Sequence, residues 1–276
     1  MEQVDGTTLT GVSTTTLWTL RNRAEEAARE DSSFSDPLAE DLYAAIRFDY
    51  AAFGGPSQSH ALRARAADAF IERYLDRRPD ATVVALGEGL QTSYWRIRRP
   101  IRRWLSVDLE PVIELRRRLL PDESAVEHIA MSALDRAWMD GVDPEDGVVI
   151  TAEGLFMYFE PDEVTALIGD MAQRFPGGEL FYDSIPPWLS ARTKSGRMRL
   201  RGGYTAPPMP YWQTVGGAQR LLEIPGVEKV EDVSMPLGRG AWRWAPIVIG
   251  ALSRIPAIRD KRPSFTRITF GKNQIR

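Results

Sequence analysis

The sequence predicts an α/β protein built on a doubly wound, mostly parallel sheet, and three observations carry that prediction. Short continuous apolar runs recur along the chain, each about the length of one buried strand. Amphipathic stretches of helical spacing stand between them, the alternation that parallel strands joined by helices produce. Three of the runs end in a glycine or an acid, at Gly87, Asp108 and Glu153.

Composition narrows the class. The 276 residues correspond to one large domain or to one domain with an embellishment. Apolar residues at 43% and charged residues at 26% give an ordinary balance that buries a sizeable core. The absence of cysteine removes disulfides, thiolate metal sites, iron–sulfur clusters and cysteine nucleophiles together. His60 and His128 are the only histidines, so no metal centre is expected. A net charge of -3 and a pI near 5.6 argue against a nucleic-acid partner. The first eleven residues carry Glu2 and Asp5 without an apolar core, so no signal peptide is expected. The longest apolar stretch, 245–252, lies between Arg243 and Arg254 and is far short of the ~20 residues that span a bilayer. The expectation is a soluble, cytoplasmic protein without a membrane partner.

The elements follow in order. Residues 1–60 read as a helical cap or lid: a threonine-rich opening, a helix over 17–28, and a second helix started by Asp36-Pro37 and running through Leu42 and Ile46. Gly54-Gly55-Pro56 ends it as a loop. This part is too short and too polar for a core of its own, so the main domain is taken as 61–276. There, Ala67, Phe70, Ile71, Tyr74 and Leu75 recur at helical spacing from Ala66 onward. Strands are expected over 82–86 and 104–107, ending in Gly87 and Asp108. Pro111 opens a helix with Val112, Leu115 and Leu119 on its apolar face, and Pro121 stops it. His128 falls in a further strand-like stretch, where it reads as packing. The strand 147–152 ends in Glu153. Pro161, Asp162 and Glu163 begin a helix that buries Val164, Leu167, Ile168, Met171 and Phe175, and a strand over 179–182 follows. The pattern then breaks. Residues 185–212 hold five prolines and five basic residues without periodicity, which reads as a functional insertion after the fifth strand. A helix over 218–223, a strand over 227–233, an apolar helix near 242–255 and a strand over 265–270 complete a sheet of seven strands.

In open α/β sheets, ligands bind at the carboxyl ends of the strands. Gly87-Glu88-Gly89 allows the backbone to approach a ligand, because no Cβ blocks the turn. Asp108, 21 positions after Gly87, has the spacing of an acid that accepts hydrogen bonds from a ribose. The combination indicates a nucleoside-containing cofactor. A dinucleotide fingerprint wants a third glycine where Thr92 stands, which favours an adenosyl ligand without pyrophosphate over NAD. Glu153 ends a buried strand, where an unpaired carboxylate is costly, so it calls for a bound partner.

Four segments carry a family resemblance: Asp36-Pro37; Leu62-Arg63-Ala64-Arg65 with Asp68; 83–96 running into Ser106-Val107-Asp108-Leu109-Glu110-Pro111; and Ala152-Glu153-Gly154-Leu155-Phe156-Met157-Tyr158. In these the chain resembles the leucine carboxyl methyltransferase-like family of class I S-adenosylmethionine-dependent methyltransferases, in the branch of tetracenomycin-type polyketide O-methyltransferases. The resemblance implies a Rossmann-like seven-stranded sheet and S-adenosylmethionine as cofactor, with S-adenosylhomocysteine as product. It implies that Arg63 pairs with the methionine carboxylate and that Gly87, Glu88 and Gly89 pass under the cofactor. Asp108, with Leu109 beside it, would hold the ribose, and Glu153 would line the methionine amino end. The chain departs from the family pattern at Gln91-Thr92-Ser93, where Asp-Thr-Arg is common, and at Met131-Ser132-Ala133-Leu134, where an Asp-Leu pair often reads adenine. Adenine recognition therefore falls to Ser132 or to backbone near Ala133.

The implied reaction is O-methyl transfer to a small-molecule carboxylate or phenol, a polyketide or other secondary metabolite, free or presented on a carrier protein. Tyr158 and His60 are the catalytic candidates, with ordinary packing as the alternative for each. A carboxylate is already ionised at neutral pH, whereas a phenol near pKa ~10 benefits from a base. No obvious base or metal set exists, which leans toward a carboxylate or an acidified phenol. Trp188, Tyr204, Tyr211 and Trp212 are the candidates for an aromatic acceptor wall, stiffened by Pro207, Pro208 and Pro210. Arg96, Arg98, Arg99, Arg102 and Arg103 read as a solvated edge. Two alternatives stand beside this reading. Gln91 and Ser93 motivate a non-catalytic or repurposed S-adenosylmethionine-binding protein, and a nicotinamide-dependent dehydrogenase would use the same crevice. No feature sets an oligomeric state.

Overall fold

The computed structural model describes residues 3–244 and 255–272. Seven strands form one sheet: β1 Thr82–Leu86, β2 Arg103–Asp108, β3 Val126–Ala130, β4 Val148–Ala152, β5 Glu179–Ser184, β6 Val227–Asp232 and β7 Ser264–Phe270. Their order across the sheet is β3-β2-β1-β4-β5-β7-β6. β7 runs antiparallel to β5 and β6, and the other neighbouring pairs are parallel. The strand order reverses between β1 and β4, the place where open sheets of this kind form a ligand crevice.

Helices α1 Thr15–Ala27, α2 Pro37–Ala45, α3 Ser59–Arg77, α4 Glu110–Leu119, α5 Pro161–Arg174 and α6 Pro187–Lys194 surround the sheet. β1 and β4 are buried at every position because both faces are covered. Val84, Leu86, Leu105, Val107 and Ile150 pack one way, with Val164, Leu167, Ile168 and Met171 of α5. Val83, Ala85, Trp104, Val149 and Phe181 pack the other way, with Phe70, Ile71, Tyr74 and Leu75 of α3. His128 lies on edge strand β3 opposite Ser106, and burial pushes its imidazole down to about 4, which keeps it neutral.

Three elements depart from the sequence reading. α3 begins at Ser59 rather than near Ala66. Its first turns are mostly alanine and arginine, and Leu62 is the one large apolar side chain there, too little to mark a periodic face. The 185–212 segment is not continuous loop, because Pro187 at the first turn starts α6. The helix expected over 218–223 is a 3-10 turn, Gly217–Glu223. In the apolar stretch near 242–255, residues 245–254 lie outside the described residues. No helix among the described residues is long and apolar enough to cross a membrane.

The cap is joined to the sheet by apolar contact and by buried charge. Leu17, Leu20, Ala24, Leu42 and Phe53 share one cluster with Leu90, Val112 and Leu115. Asp36 caps α2 by accepting the Ala39 amide at 3.2 Å. Its carboxylate also meets Arg23 at 2.5 Å and Arg96 at 2.9 Å. Thr92 donates its hydroxyl to Asp36 at 2.6 Å. Arg96 reaches Asp68 on α3 with two further bonds, at 2.8 and 3.0 Å. Arg96 is therefore a buried tie, in contrast to its expected place on a solvated edge. Arg99, Arg102 and Arg103 make surface pairs with Asp76, Asp146 and Glu127. A run of five arginines carries no periodic signal to separate the buried one from the rest.

Removing one member of a buried ion group leaves the others desolvated and unpaired, at a cost of about 3–5 kcal/mol. Asp36→Asn is expected to lower unfolding stability by that amount, with an unchanged urea m-value. Glu114→Gln, on the outer face of α4, is expected to change it by less than about 0.5 kcal/mol. Equilibrium urea denaturation of the two variants checks both.

Candidate active site

A cavity of about 800 Å³ opens at the carboxyl ends of β1, β2, β4 and β5, under the start of α1. Gly87 and Gly89 form its floor at φ +57° and +60°, the left-handed region that other residues enter at a cost. Space also demands glycine here. A Cβ on Gly87 would sit 2.6 Å from Leu155 Cδ1, and one on Gly89 would sit 2.3 Å from Thr16 Oγ1. The cap thus rests directly on the turn, and Thr16 also accepts the Leu90 amide at 2.8 Å.

Asp108 ends β2 at the cavity wall and accepts the amides of Gly89 at 2.6 Å and Leu109 at 2.7 Å. Burial raises its pKa, and the two amides oppose that shift. Leu109, Ser132 and Ala133 also line the cavity. The Ala133 carbonyl is occupied by the Trp138 indole N–H at 3.1 Å. Glu88 lines the wall, but its carboxylate leaves it and pairs with Arg116 beneath the turn at 2.9 Å. The carboxylate is thereby committed to fixing the loop, which leaves only the Glu88 backbone for a ligand.

The densest charge in the cavity surrounds Arg63. Its Nε lies 3.3 Å from Glu153, and its Nη1 donates to Asp183 at 3.3 Å. Asp183 also accepts the Gly154 amide, and Gln91 donates to Glu153 at 3.3 Å. Burial pushes the Glu153 carboxyl up to about 7, with Arg63 pulling the other way. Arg63 Nε is enclosed and faces Glu153 across the ion pair without a well-formed hydrogen bond. Asp183 was absent from the sequence candidates. Its signal was available, because β5 is a fourth strand that ends in an acid at the same edge.

His60 and Tyr158 both reach the cavity. The His60 Nδ1 lies 2.7 Å from the Asn22 amide nitrogen, and its ring packs edge-on to Trp18. Burial raises the Tyr158 phenol pKa, so it is a hydrogen-bonding group at neutral pH.

The four aromatics expected to form the acceptor wall do not line the cavity. Trp188 is 53% exposed and donates its indole N–H to the Lys261 carbonyl. Tyr204 stacks edge-on against Phe53 of the cap, with centroids 4.9 Å apart. Tyr211 is buried behind the wall with its hydroxyl on Gln213 at 2.7 Å, and Trp212 is 48% exposed. Ile185, Leu189, Met198, Ala206 and Met209 face inward instead, against Met157 and Tyr158. An aperiodic segment gives no rule for which side chains face in, and the large rings serve to fasten it. No group of three or more His, Asp or Glu among the described residues is placed to hold a metal ion.

An adenosyl ligand with a charged amino-acid end fits these residues. The lining sets the guanidinium of Arg63 among the carboxylates of Asp108, Glu153 and Asp183, with a separate ion pair of Arg262 and Asp232, a glycine turn and an apolar side wall. Comparison with known proteins agrees. Residues 16–172 match the family model of leucine carboxyl methyltransferases. The chain is 29% identical over 232 residues to the tetracenomycin polyketide synthesis O-methyltransferase TcmP of Streptomyces glaucescens, covering 82% of this chain and 84% of that one. It is also 29% identical over 201 residues to the S-adenosyl-L-methionine-dependent methyltransferase dpfgK of Gibberella zeae, covering 64% and 67%. A crystal structure from Thermobifida fusca, assigned as a methyltransferase, superposes with a TM-score of 0.57 at 17% identity, over 92% of this chain and 94% of that one. The fold and the family match over more than half its length place this chain in the leucine carboxyl methyltransferase family, as an S-adenosylmethionine-dependent methyltransferase.

Proposed function

We propose that this protein methylates an oxygen, carboxylate or phenol, of a small and largely apolar acceptor such as a polyketide or other secondary metabolite. One observation carries the reading: a single cavity joins the charged cluster of Arg63, Glu153 and Asp108 to an apolar wall of Met157, Leu189, Met198 and Met209. The similarity to TcmP supports the acceptor class. When bound, S-adenosylmethionine supplies an electrophilic sulfonium methyl.

The chain's own residues bind and align. Arg63 would hold the carboxylate of the methionine end and Glu153 its ammonium, as a charged donor and acceptor do. Asp108 would accept from the ribose hydroxyls, while Ser132 and backbone at Ala133 would meet adenine. Thr16 and the glycine turn would close the floor and exclude water. The reaction needs the acceptor oxygen in line with the methyl group, so alignment in a dry pocket supplies most of the rate. Tyr158 would steer that oxygen by hydrogen bonding, and its raised pKa removes it as a base at neutral pH.

Calorimetry with S-adenosylmethionine tests the reading directly; no heat of binding at millimolar ligand overturns it. Arg63→Ala is expected to weaken cofactor binding about 10- to 100-fold, the loss of a charge-assisted bond. Binding of an ammonium requires Glu153 ionised, and its carboxyl titrates at about 7 in the folded protein. Below that pH the folded state carries the neutral acid, so affinity falls by up to about tenfold per unit. Calorimetry between pH 5.5 and 7 is expected to show this slope in the parent and to lose it in Glu153→Gln. For the acceptor wall, Met209→Ala and Leu189→Ala are expected to raise acceptor KM about three- to tenfold, with cofactor Kd within about twofold. Initial rates across a panel of aromatic acids and phenols measure that split.

A further inference from the structure

His60 stands one helical turn before Arg63, and its neighbours decide which ring nitrogen carries the proton. Asn22 is buried, and its carbonyl oxygen accepts the Ser57 amide at 3.1 Å. Its nitrogen is therefore the atom 2.7 Å from His60 Nδ1, and an amide –NH2 only donates. Nδ1 must accept. A neutral imidazole that accepts at Nδ1 carries its proton at Nε2.

Two further features hold that state. The ring is half-buried beside the guanidiniums of Arg63 and Arg23, and desolvation first, then both charges, disfavours the imidazolium. Trp18 packs against the ring at 87°, with centroids 5.3 Å apart, and so opposes a ring flip that would exchange the nitrogens. No described residue accepts a hydrogen bond from Nε2, and the atom is not sealed from the cavity that His60 lines.

We propose that His60 is a fixed neutral N–H donor toward the acceptor oxygen, which reacts in its ionised form as carboxylate or phenolate, that Asn22 holds the ring in that tautomer, and that His60 is not the base of the reaction. The chemistry of the site favours this use. Opposite charges in the wall already match the ionic groups of the cofactor's amino-acid end. A neutral donor fixes one lone pair of the acceptor oxygen and leaves another free for the methyl group. An imidazolium would blunt that oxygen as a nucleophile, and a bare Nε2 lone pair would repel it. Asn22 is then a positioning residue that acts through His60. The donor role rests on the reading of the cavity as an O-methylation site, whereas the tautomer does not.

The tautomer is tested on the ligand-free protein. The chain has two histidines, so a His128→Phe variant leaves His60 alone in long-range 1H–15N correlation spectra. At pH 7.5 a pyridine-type shift at Nδ1 and a pyrrole-type shift at Nε2 are expected. A proton at Nδ1, or on both nitrogens, overturns the proposal whether or not methyl transfer occurs. With the acceptor, His60→Phe is expected to lose about three- to tenfold in acceptor kcat/KM, the worth of one neutral hydrogen bond. His60→Gln, which returns an N–H near the same place, is expected to recover most of that loss. Cofactor Kd is expected to stay within about twofold in both. Equal losses in Gln and Phe overturn the donor role in favour of a base. A loss confined to cofactor binding overturns the assignment to the acceptor.

Discussion

The Asp36 carboxylate lies at the point where the cap, the glycine turn and α3 meet. Arg23 comes from α1, Thr92 from the end of the glycine turn, and Arg96 links onward to Asp68 on α3. Taken alone, a buried charge of this kind is expensive, and only close pairing with satisfied hydrogen bonds makes it tolerable. Here the pairing is directional, so it fixes the register of the cap on the turn and not merely its attachment. Thr16 then falls directly over Gly89, and His60 and Arg63 are carried to the cavity edge by the same helix that holds Asp68. Apolar contact alone would leave the cap free to slide, because burial is non-directional.

The cavity's charge is unbalanced in a useful sense. Glu153, Asp183 and Asp108 line it around the guanidinium of Arg63, while Arg262, also in the lining, is paired with Asp232. A ligand that brings positive charge relieves that excess, and a sulfonium with an ammonium brings two. Burial, with smaller contributions from Asp68 and Asp183, pushes the Glu153 carboxyl up to about 7 against the pull of Arg63.

How much of this was legible depends on whether a residue's role is local. The central strands were readable because double-sided burial writes them as unbroken apolar runs, as in Thr82–Leu86. The place of Gly87, Gly89, Asp108 and Glu153 in the cavity lining was readable because open sheets form their crevice at strand ends. Arg63 came from family resemblance, since one arginine on an alanine-rich helix is locally indistinguishable from Arg65. Asp183 was overlooked, although it obeys the same rule as Asp108. Arg96, Tyr204 and Trp188 could not be placed, because their partners are remote in sequence: Asp36 for Arg96, Phe53 for Tyr204 and Lys261 for Trp188. Their side chains answer to tertiary geometry that no local pattern encodes.

The position of β7 bears on how the chain can be assembled. It lies between β5 and β6, though it follows both in the chain, so the last strand among the described residues is not a late addition at the rim. Until Ser264–Phe270 arrives, β5 presents an unpaired, apolar edge, and β6 has no neighbour in the sheet. Such an edge is a template for any other extended chain. On a ribosome, the parallel half of the sheet and its cofactor turn are complete while this seam is still open. The vulnerable interval in the protein's life is then the synthesis of some eighty residues between Ser184 and Ser264, a delay written into the topology and not into any single contact.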